Sequence, residues 1–288
     1  MKKRFLVLLF TGLAVSASIR AQREQETHEL TFGASLGVST LKLSLENLKP
    51  NGEIALGYNY FFNDIAGIST GIGLTLHRWQ SSIDQVSDRY LTGDGEESFE
   101  FRSSISNYTE LQTAASLTVP LAFRWQYPLL SDSYLTYFAA GGKVSFPFYS
   151  QYRTSGSTFT TSAWYPAYNA LLESPSSQGL GAFTGEKQVS DLLLKPVFSL
   201  FVDVGMKWDI ADQFSVYAGL YADYGLNNIN REAGKPFLVY NPDKPADFIF
   251  NSVLEAQYTQ EGKTGRFIRR TNPVGAGIVI RIAFKLPE

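Results

Sequence analysis

The sequence predicts an all-β protein, an eight-stranded antiparallel up-and-down transmembrane β-barrel with long outer loops. Three observations predict this fold. Eight segments alternate apolar and polar residues with a period of two, which is typical of strands with two different faces. The connections between these segments are alternately short and long. The face opposite the apolar one carries glycine, serine and charged residues.

The composition excludes several classes of site before any motif is considered. The 288 residues contain no cysteine, so disulfide scaffolds, thiolate metal sites and thiol catalysis are excluded. The 2 histidines are too few for a multi-histidine metal centre. The 25 basic and 27 acidic residues give a formal charge of −2, which provides no general attraction to nucleic acid. We therefore expect no metal, no cofactor and no nucleic-acid partner.

Residues 1–21 are predicted to be a secretory signal peptide, and residues 22–288 to form an outer-membrane β-barrel domain. Residues 2–4 are basic and precede a short apolar run, after which small residues continue to Ala21. This order of basic, apolar and small residues is typical of a signal peptide, and the run is too short for a spanning helix. We predict cleavage after Ala21, with Ala17 as the alternative.

The alternating segments place eight strands along the chain. In the first segment, Leu30, Phe32 and Leu36 fall on one face, and Gly33 and Gly37 fall on the other. Each apolar stripe is long enough for the ~9–11 residues that a tilted strand needs to cross a bilayer. The predicted strands span about 29–40, 50–62, 66–80, 110–127, 133–148, 195–210, 213–228 and 272–285.

The connections assign the two sides of the barrel. Outer-membrane barrels have short periplasmic turns and longer extracellular loops. Aromatic and Ser/Thr residues within 149–168 indicate strands that continue above the membrane. Short turns are predicted near 63–64, 128–133 and 211–212, and long loops at about 41–49, 81–109, 149–194 and 229–271.

The inward face of the barrel is predicted to hold small residues and charge. Small residues suit the limited space inside an eight-stranded cylinder. A lipid-facing Arg or Lys at mid-bilayer would cost roughly 2–4 kcal/mol, so charged side chains should face inward. Four acids and four bases should then pair and close the lumen, because unpaired buried charge is costly. This predicted lumenal charge network is Glu53, Arg124, Lys143, Asp203, Lys207, Asp209, Asp223 and Arg281.

Several strands resemble those of one known family. The stretch LTVPLAFRW (117–125) resembles a strand of the PorT-like outer-membrane barrels, relatives in architecture of the OmpX and OmpA N-terminal barrels. YLTYFAAGGKVSF (134–146), VFSLFVDVGMKWDI (197–210) and VGAGIVIRIAF (274–284) are similar to further strands of that family. The resemblance implies the outer membrane of a Gram-negative-type envelope and an association with protein secretion machinery, but no ligand. Thr118 departs from the family, which often has a lumenal Glu there.

The long loops are where the sequence places function. Loops on a rigid scaffold are the usual location of binding residues. Trp164, Tyr165 and Tyr168 are candidate contact residues, with hydrophobic packing among the loops as the equal alternative. We predict a non-enzymatic barrel in contact with outer-membrane lipid. Its loops bind a protein or glycan partner or scaffold an envelope complex, and a PorT-like secretion-accessory role is the first alternative.

A small barrel-embedded lipid or peptide hydrolase is the second alternative. His77 is predicted to point inward near the outer rim, and Ser81, Ser82 and Asp84 lie just beyond it. A Ser/His/acid site needs such groups within hydrogen-bond reach. With one lumenal histidine and no supporting spacing, a polar rim network is favoured over a catalytic site. A soluble lipocalin-type barrel is disfavoured because the charged face would then be the outside.

Overall fold

A computed structural model gives the fold of most of the chain. The predicted signal peptide, residues 1–21, lies outside the described residues. No helix within the described ranges is long and apolar enough to cross a membrane. The ranges described are 27–41, 48–93, 97–131, 134–231, 234–260, 263–267 and 271–287.

The described ranges contain seventeen β-strands and two short 3₁₀ segments, Pro166–Tyr168 and Ser176–Gln178. In chain order the strands are β1 (Thr27–Thr40), β2 (Lys49–Phe61), β3 (Ala66–Gly93), β4 (Ser98–Ser131), β5 (Tyr134–Ser155), β6 (Thr158–Tyr165), β7 (Ala170–Leu172), β8 (Gly181–Thr184), β9 (Val189–Asp191), β10 (Val197–Ala211), β11 (Phe214–Gly225), β12 (Lys235–Pro236), β13 (Leu238–Val239), β14 (Ile249–Phe250), β15 (Ala256–Gln260), β16 (Lys263–Arg266) and β17 (Val274–Lys285).

Eight of these strands form a closed antiparallel ring. The pairing runs β1–β2–β3–β4–β5–β10–β11–β17. β17 returns to β1, in register from Glu29 opposite Lys285 to Thr40 opposite Val274. This ring confirms the predicted eight-stranded up-and-down barrel, and each predicted strand overlaps one strand of the ring.

The two faces of the ring differ as the alternation predicts. Phe32, Leu36 and Leu121 point outward and are 57%, 67% and 63% exposed. On the inward parity, neighbouring backbones approach so closely that a Cβ on Gly141 would collide with the Leu121 carbonyl oxygen and with Ala122. Glycine is therefore required at this position by the close approach of the strands.

The region 81–109, predicted as a loop, is instead a continuation of the β3–β4 hairpin. The two strands stay paired up to Gly93 opposite Ser98. Alternation does continue, but the buried and exposed positions of β4 exchange parity at Asn107, which adopts a left-handed conformation with φ 56°, while the pairing register with β3 is the same on both sides. Ile105 and Tyr108 consequently face the same side, although they are three residues apart, and both are buried. A period-two pattern read across Asn107 is broken, which explains why the predicted strand stopped short.

β4 changes its partner along its length. From Thr109 onward it pairs with β5, whereas its earlier residues, Glu100 to Ser106, pair with β6. β6 also pairs with β7 and β8, and β5 pairs with β9. The long connections thus extend the sheet of the barrel beyond the ring, where β6 pairs with the continuation of β3 and β4.

The long connections pack together into what we call the outer layer, the described residues of 81–111, 149–194 and 229–271. Its aromatic core combines Tyr108 of β4, Phe159 of β6, and Phe237 and Phe250 of the last connection. The ring centroids of Tyr108 and Phe237 lie 4.8 Å apart, and those of Phe159 and Phe250 lie 5.4 Å apart. The three long connections therefore form one folded unit.

Replacing Phe237 with alanine should loosen the outer layer and leave the barrel intact. The Phe237 side chain is fully buried, and truncating a buried Phe costs about 3–5 kcal/mol. Amide hydrogen exchange should accelerate within 98–111 and 234–260, while the unboiled protein keeps its compact gel mobility. Leu91→Ala is the matched control, because Leu91 is in the same layer but 74% exposed. Faster exchange in β1 and β17 would contradict the expectation that the outer layer loosens without the barrel.

Candidate functional site: the filled lumen and the outer layer

A buried ion pair occupies the end of the lumen near the short turns. Lys207 Nζ lies 2.7 Å from Glu29 Oε1, and both residues are buried. The hydroxyl of Tyr217 donates to the other Glu29 oxygen at 2.7 Å. Asp209 extends the group, with the Nζ atoms of Lys207 and Lys285 at 3.8 and 3.1 Å from its carboxylate oxygens. The carboxylates at this end are thus matched by two ammonium groups.

A second ion pair lies deeper in the lumen, beside an arginine without a carboxylate partner. Arg281 Nη2 lies 2.6 Å from Asp203 Oδ2, and the Tyr137 hydroxyl donates to Asp203 Oδ1 at 2.8 Å. Arg124 lies between Tyr137 and Tyr217, its guanidinium carbon 5.1 Å from each ring centroid. Its Nε and Nη1 atoms are buried without a hydrogen-bond partner among the described groups. Two cation–π contacts therefore stabilise its charge.

A third ion pair and a chain of hydroxyls lie toward the long connections. Lys143 Nζ is 3.1 Å from Asp223 Oδ2. Glu53 accepts a hydrogen bond from the Thr75 hydroxyl at 2.8 Å, and that hydroxyl lies 2.9 Å from the Thr118 hydroxyl. Thr118 thus contributes a neutral hydroxyl to this chain of contacts.

The structure places all eight predicted lumenal charges on the inward face and brings most of them together. Glu53 and Arg124 form no ion pair with another described residue. The side chains leave a cavity of about 110 Å³ whose lining includes both of these residues. The six predicted residues that form ion pairs are Lys143, Asp203, Lys207, Asp209, Asp223 and Arg281.

Sequence reasoning missed the residues that hold the network together. Glu29 shares the inward parity of Gly33 and is the first residue of its predicted strand, outside the eight predicted lumenal charges. Tyr137 and Tyr217 share the parity of Gly141 and Gly219, and this parity was the signal that could have identified them. Their hydroxyls donate to Asp203 and Glu29.

The predicted partners Ser81, Ser82 and Asp84 do not form a Ser/His/acid site with His77. The His77 ring stacks on Trp79 at 5.4 Å, and its Nδ1 atom is buried without a hydrogen-bond partner among the described groups. Ser81 accepts a hydrogen bond from Gln112 at 2.9 Å. Ser82 and Asp84 have the opposite parity on β3 and are exposed. His77 therefore belongs to the rim packing between the barrel and the outer layer.

The outer layer contains a buried carboxylate of its own. Glu110 accepts hydrogen bonds from Tyr108, Gln112, Ser252 and the backbone N–H of Val253, at 2.6–3.1 Å. These contacts fasten the last long connection to β4. Burial raises the pKa of the Glu110 carboxyl, and the four donors offset part of this effect.

Asp88 fastens the same connection to β3. Its carboxylate accepts the backbone N–H groups of Thr259 at 2.8 Å and Phe237 at 3.4 Å. Burial raises the pKa of the Asp88 carboxyl. Next to it, the Tyr90 hydroxyl donates to the Leu238 carbonyl at 3.1 Å. Side chains of the barrel strands thus hold the last connection in place.

The three predicted contact residues have different surroundings. Trp164 lies on the solvent side of β6, with the Arg102 guanidinium carbon 5.2 Å from its ring centroid. Tyr165 packs on Phe99, with ring centroids 5.3 Å apart, and adds to the core. Tyr168 is 65% exposed and donates to Glu97 at 2.6 Å. Trp164 and Tyr168 are therefore the two that a partner can reach.

No group of three or more His, Cys, Asp or Glu side chains in the described part of the chain could hold a metal ion.

Comparison with known proteins identifies a family and several solved structures. The model of the family "outer membrane protein beta-barrel domain" matches residues 20–231, which include seven of the eight ring strands. No curated protein matches the chain. Neisserial surface protein A is 10% identical, with a TM-score of 0.37, over 91% of this chain and 100% of that one.

Two further solved structures are similar at the same level. Ail, the attachment invasion locus protein of Yersinia pestis, in complex with the heparin analogue sucrose octasulfate, is 10% identical with a TM-score of 0.32, over 92% of this chain and 100% of that one. The outer membrane protein OprG from Pseudomonas aeruginosa is 9% identical with a TM-score of 0.33, over 91% of this chain and 97% of that one.

Removing the ammonium group of the buried pair should destabilise the barrel strongly. Lys207→Met leaves Glu29 buried without its cation, and breaking a buried pair in this way costs about 3–5 kcal/mol. The free energy of urea unfolding in lipid vesicles measures this loss. Adding Glu29→Gln to Lys207→Met should recover part of it, because the uncompensated charge is then gone. The matched control is Lys187→Met, which removes an exposed ammonium group. Equal losses in both lysine variants would contradict the pairing.

The outer layer should become less stable as the pH rises. Because burial raises the pKa of the Glu110 and Asp88 carboxyls in the folded state, folding favours their protonated forms. The stabilisation that these two carboxyls give the folded state is complete below their pKa in the unfolded chain. It is lost as the pH rises through their higher pKa in the folded protein. The urea midpoint of the outer layer should therefore be lower at pH 8 than at pH 5. Glu110→Gln should reduce this difference, and an unchanged difference would contradict the assignment to Glu110.

Proposed function

Because the chain belongs to the family of outer membrane β-barrel domains and lies in the outer membrane, we propose that it is a non-enzymatic barrel with a closed lumen. Its outer layer binds a surface partner or scaffolds an envelope complex. The observation that carries this proposal is the aromatic core shared by the three long connections. That core makes the loops a single rigid surface rather than separate flexible tips.

The filled lumen supports a role other than transport. Eight strands enclose an interior that side chains fill. Three ion pairs and the Tyr137–Arg124–Tyr217 stack lie across it, and the cavity beside Glu53 and Arg124 is about 110 Å³. A wide aqueous path would require these pairs to break, and leaving one charge of such a pair unpaired is strongly unfavourable.

The PorT-like resemblance is the finer form of the proposal. It rests on the residues of β4, β5, β10 and β17 quoted above, and it would place the barrel among the accessory proteins of a secretion machinery. In that role the outer layer, or the short turns on the other side, would contact other envelope proteins. Crosslinking in intact cells distinguishes the two sides, because the partners would attach to residues of the outer layer or to residues of the turns.

The test compares binding with permeation in one preparation. Vesicles carrying the full-length protein should bind whole cells or envelope fractions, and proteolytic removal of the outer layer should abolish this binding. The same vesicles should pass no more ions than protein-free vesicles, before or after proteolysis. Ion flux through the intact barrel, together with binding that survives proteolysis, would contradict the proposal.

A further inference from the structure

The sheet β3–β4–β6 of the outer layer has one face in the core and one face in solvent. Val86, Ile105 and Phe159 lie in one cross-strand row and are buried. The residues on either side of that row alternate to the other face. We call this the solvent face. It is reached from outside the cell, because its strands continue from the long-connection end of the barrel.

Cross-strand register arranges the solvent face into four rows. The rows nearest the barrel carry hydroxyl and amide groups, the next carries two arginines, and the last carries apolar and aromatic side chains around one acid. In order they are Gln85–Ser106–Thr158, Ser87–Ser104–Thr160, Arg89–Arg102–Ser162 and Leu91–Glu100–Trp164. A groove of about 310 Å³ lies over the middle rows. Its lining also includes Asp88 and Ser103, together with Thr259 and Gln260 of β15.

The arginine row carries more positive charge than the face neutralises. Arg89 and Arg102 are directly opposite each other, and like charges in this position repel. One carboxylate oxygen of Glu100 serves both, at 2.6 Å from Arg102 Nε and 4.0 Å from Arg89 Nη1. The Arg89 and Arg102 side chains remain 35% and 38% exposed. The row therefore keeps one net positive charge and has donors available for an anion.

The last row supplies an aromatic surface beside those donors. The Arg102 guanidinium lies over the Trp164 ring, with its carbon 5.2 Å from the centroid. An indole ring in this position offers an apolar face next to a cation and several hydroxyl groups. A sugar ring has complementary properties, since its C–H groups pack on an aromatic face and its hydroxyls form hydrogen bonds.

From these rows we propose that the solvent face binds an anionic polysaccharide. Sulfate or carboxylate groups of the polymer bind Arg89 and Arg102 through charge-assisted hydrogen bonds. A sugar ring packs on Trp164, and the hydroxyl rows bind further along the chain. The inference rests on the proposed function and deepens it by naming the surface and the chemical class of the partner.

The experiment measures binding of the full-length protein, folded in lipid vesicles, to immobilised polysaccharides. Heparin supplies sulfate groups, polygalacturonate supplies carboxylates, and dextran is the neutral comparison. We expect binding to heparin or polygalacturonate, little binding to dextran, and weakening as salt is added. The polymer that binds more tightly identifies sulfate or carboxylate as the preferred anion.

Variants then locate the binding on the solvent face. Arg89→Gln together with Arg102→Gln should lower the affinity at least about tenfold, since each removes a charge-assisted hydrogen-bond donor. Glu100→Gln should raise the affinity several-fold, because it removes the competing acceptor. Arg153→Gln is the control, because Arg153 is exposed on β5 outside this face. An affinity raised by Glu100→Gln also shows that the sheet remains folded.

Several results would overturn the inference. An equal loss in Arg153→Gln would show diffuse attraction to basic residues rather than a site. Equal binding of dextran, or no effect of the arginine substitutions, would show that the solvent face does not bind an anionic polysaccharide. If no polysaccharide binds while binding to cells remains sensitive to proteolysis, this inference fails and the proposed function stands. If cell binding is absent as well, both fail.

Discussion

The whole structure depends on closing the sheet. Inside a bilayer no water is available for backbone N–H and C=O groups, and each unpaired group costs several kcal/mol. The first and last strands of the chain must therefore pair, as β1 and β17 do from Glu29–Lys285 to Thr40–Val274. Closure with eight strands leaves a narrow interior, and this width in turn requires inward positions such as Gly141 to have no side chain.

The same narrowness determines how charge is held. Buried pairs such as Lys207–Glu29 are weak evidence for stability, because desolvation offsets most of their attraction. They do specify register, since a slip of one residue would turn each charge toward lipid. Arg124 is also held by inward-facing groups. Its guanidinium contacts the rings of Tyr137 and Tyr217, and the hydroxyls of these tyrosines donate to Asp203 and Glu29, so each tyrosine links the cation to one acid.

The sequence was sufficient for the barrel and for the parity of its interior. Alternation is a local signal, and lipid imposes it on every spanning strand, so residues such as Asp203 and Lys207 could be assigned to the inward face. Which charges meet could not be predicted, because Glu29 and Lys207 are 178 residues apart and come together only through the register of the ring. The aromatic residues behave similarly, because Tyr137 has the same alternation whether its hydroxyl is free or bound to an acid.

The outer layer was predicted less completely than the barrel, for a different physical reason. Its core joins Phe159 and Phe237 from separate connections, and no single segment contains both halves of that pattern. Within β4 the parity of the buried residues reverses at the left-handed Asn107, and in the paired β3 it reverses between Ile83 and Val86, so that each strand has two alternations in opposite phase. The sequence shows the alternation on each side of Asn107, but it does not show that the two stretches belong to one continuous strand.

The continuity of β3 and β4 explains why a binding surface on this layer would be rigid. Both strands run without interruption from the lumen to the solvent face, so the ring that sets the lumenal register also sets the positions of Arg89 and Arg102. A surface ordered in advance loses less conformational freedom on binding. Asp88, between Ser87 and Arg89 but on the opposite face, binds the backbone of Thr259 at the edge of the groove. This hydrogen bond joins β15 to β3 at the groove, whose lining includes both residues.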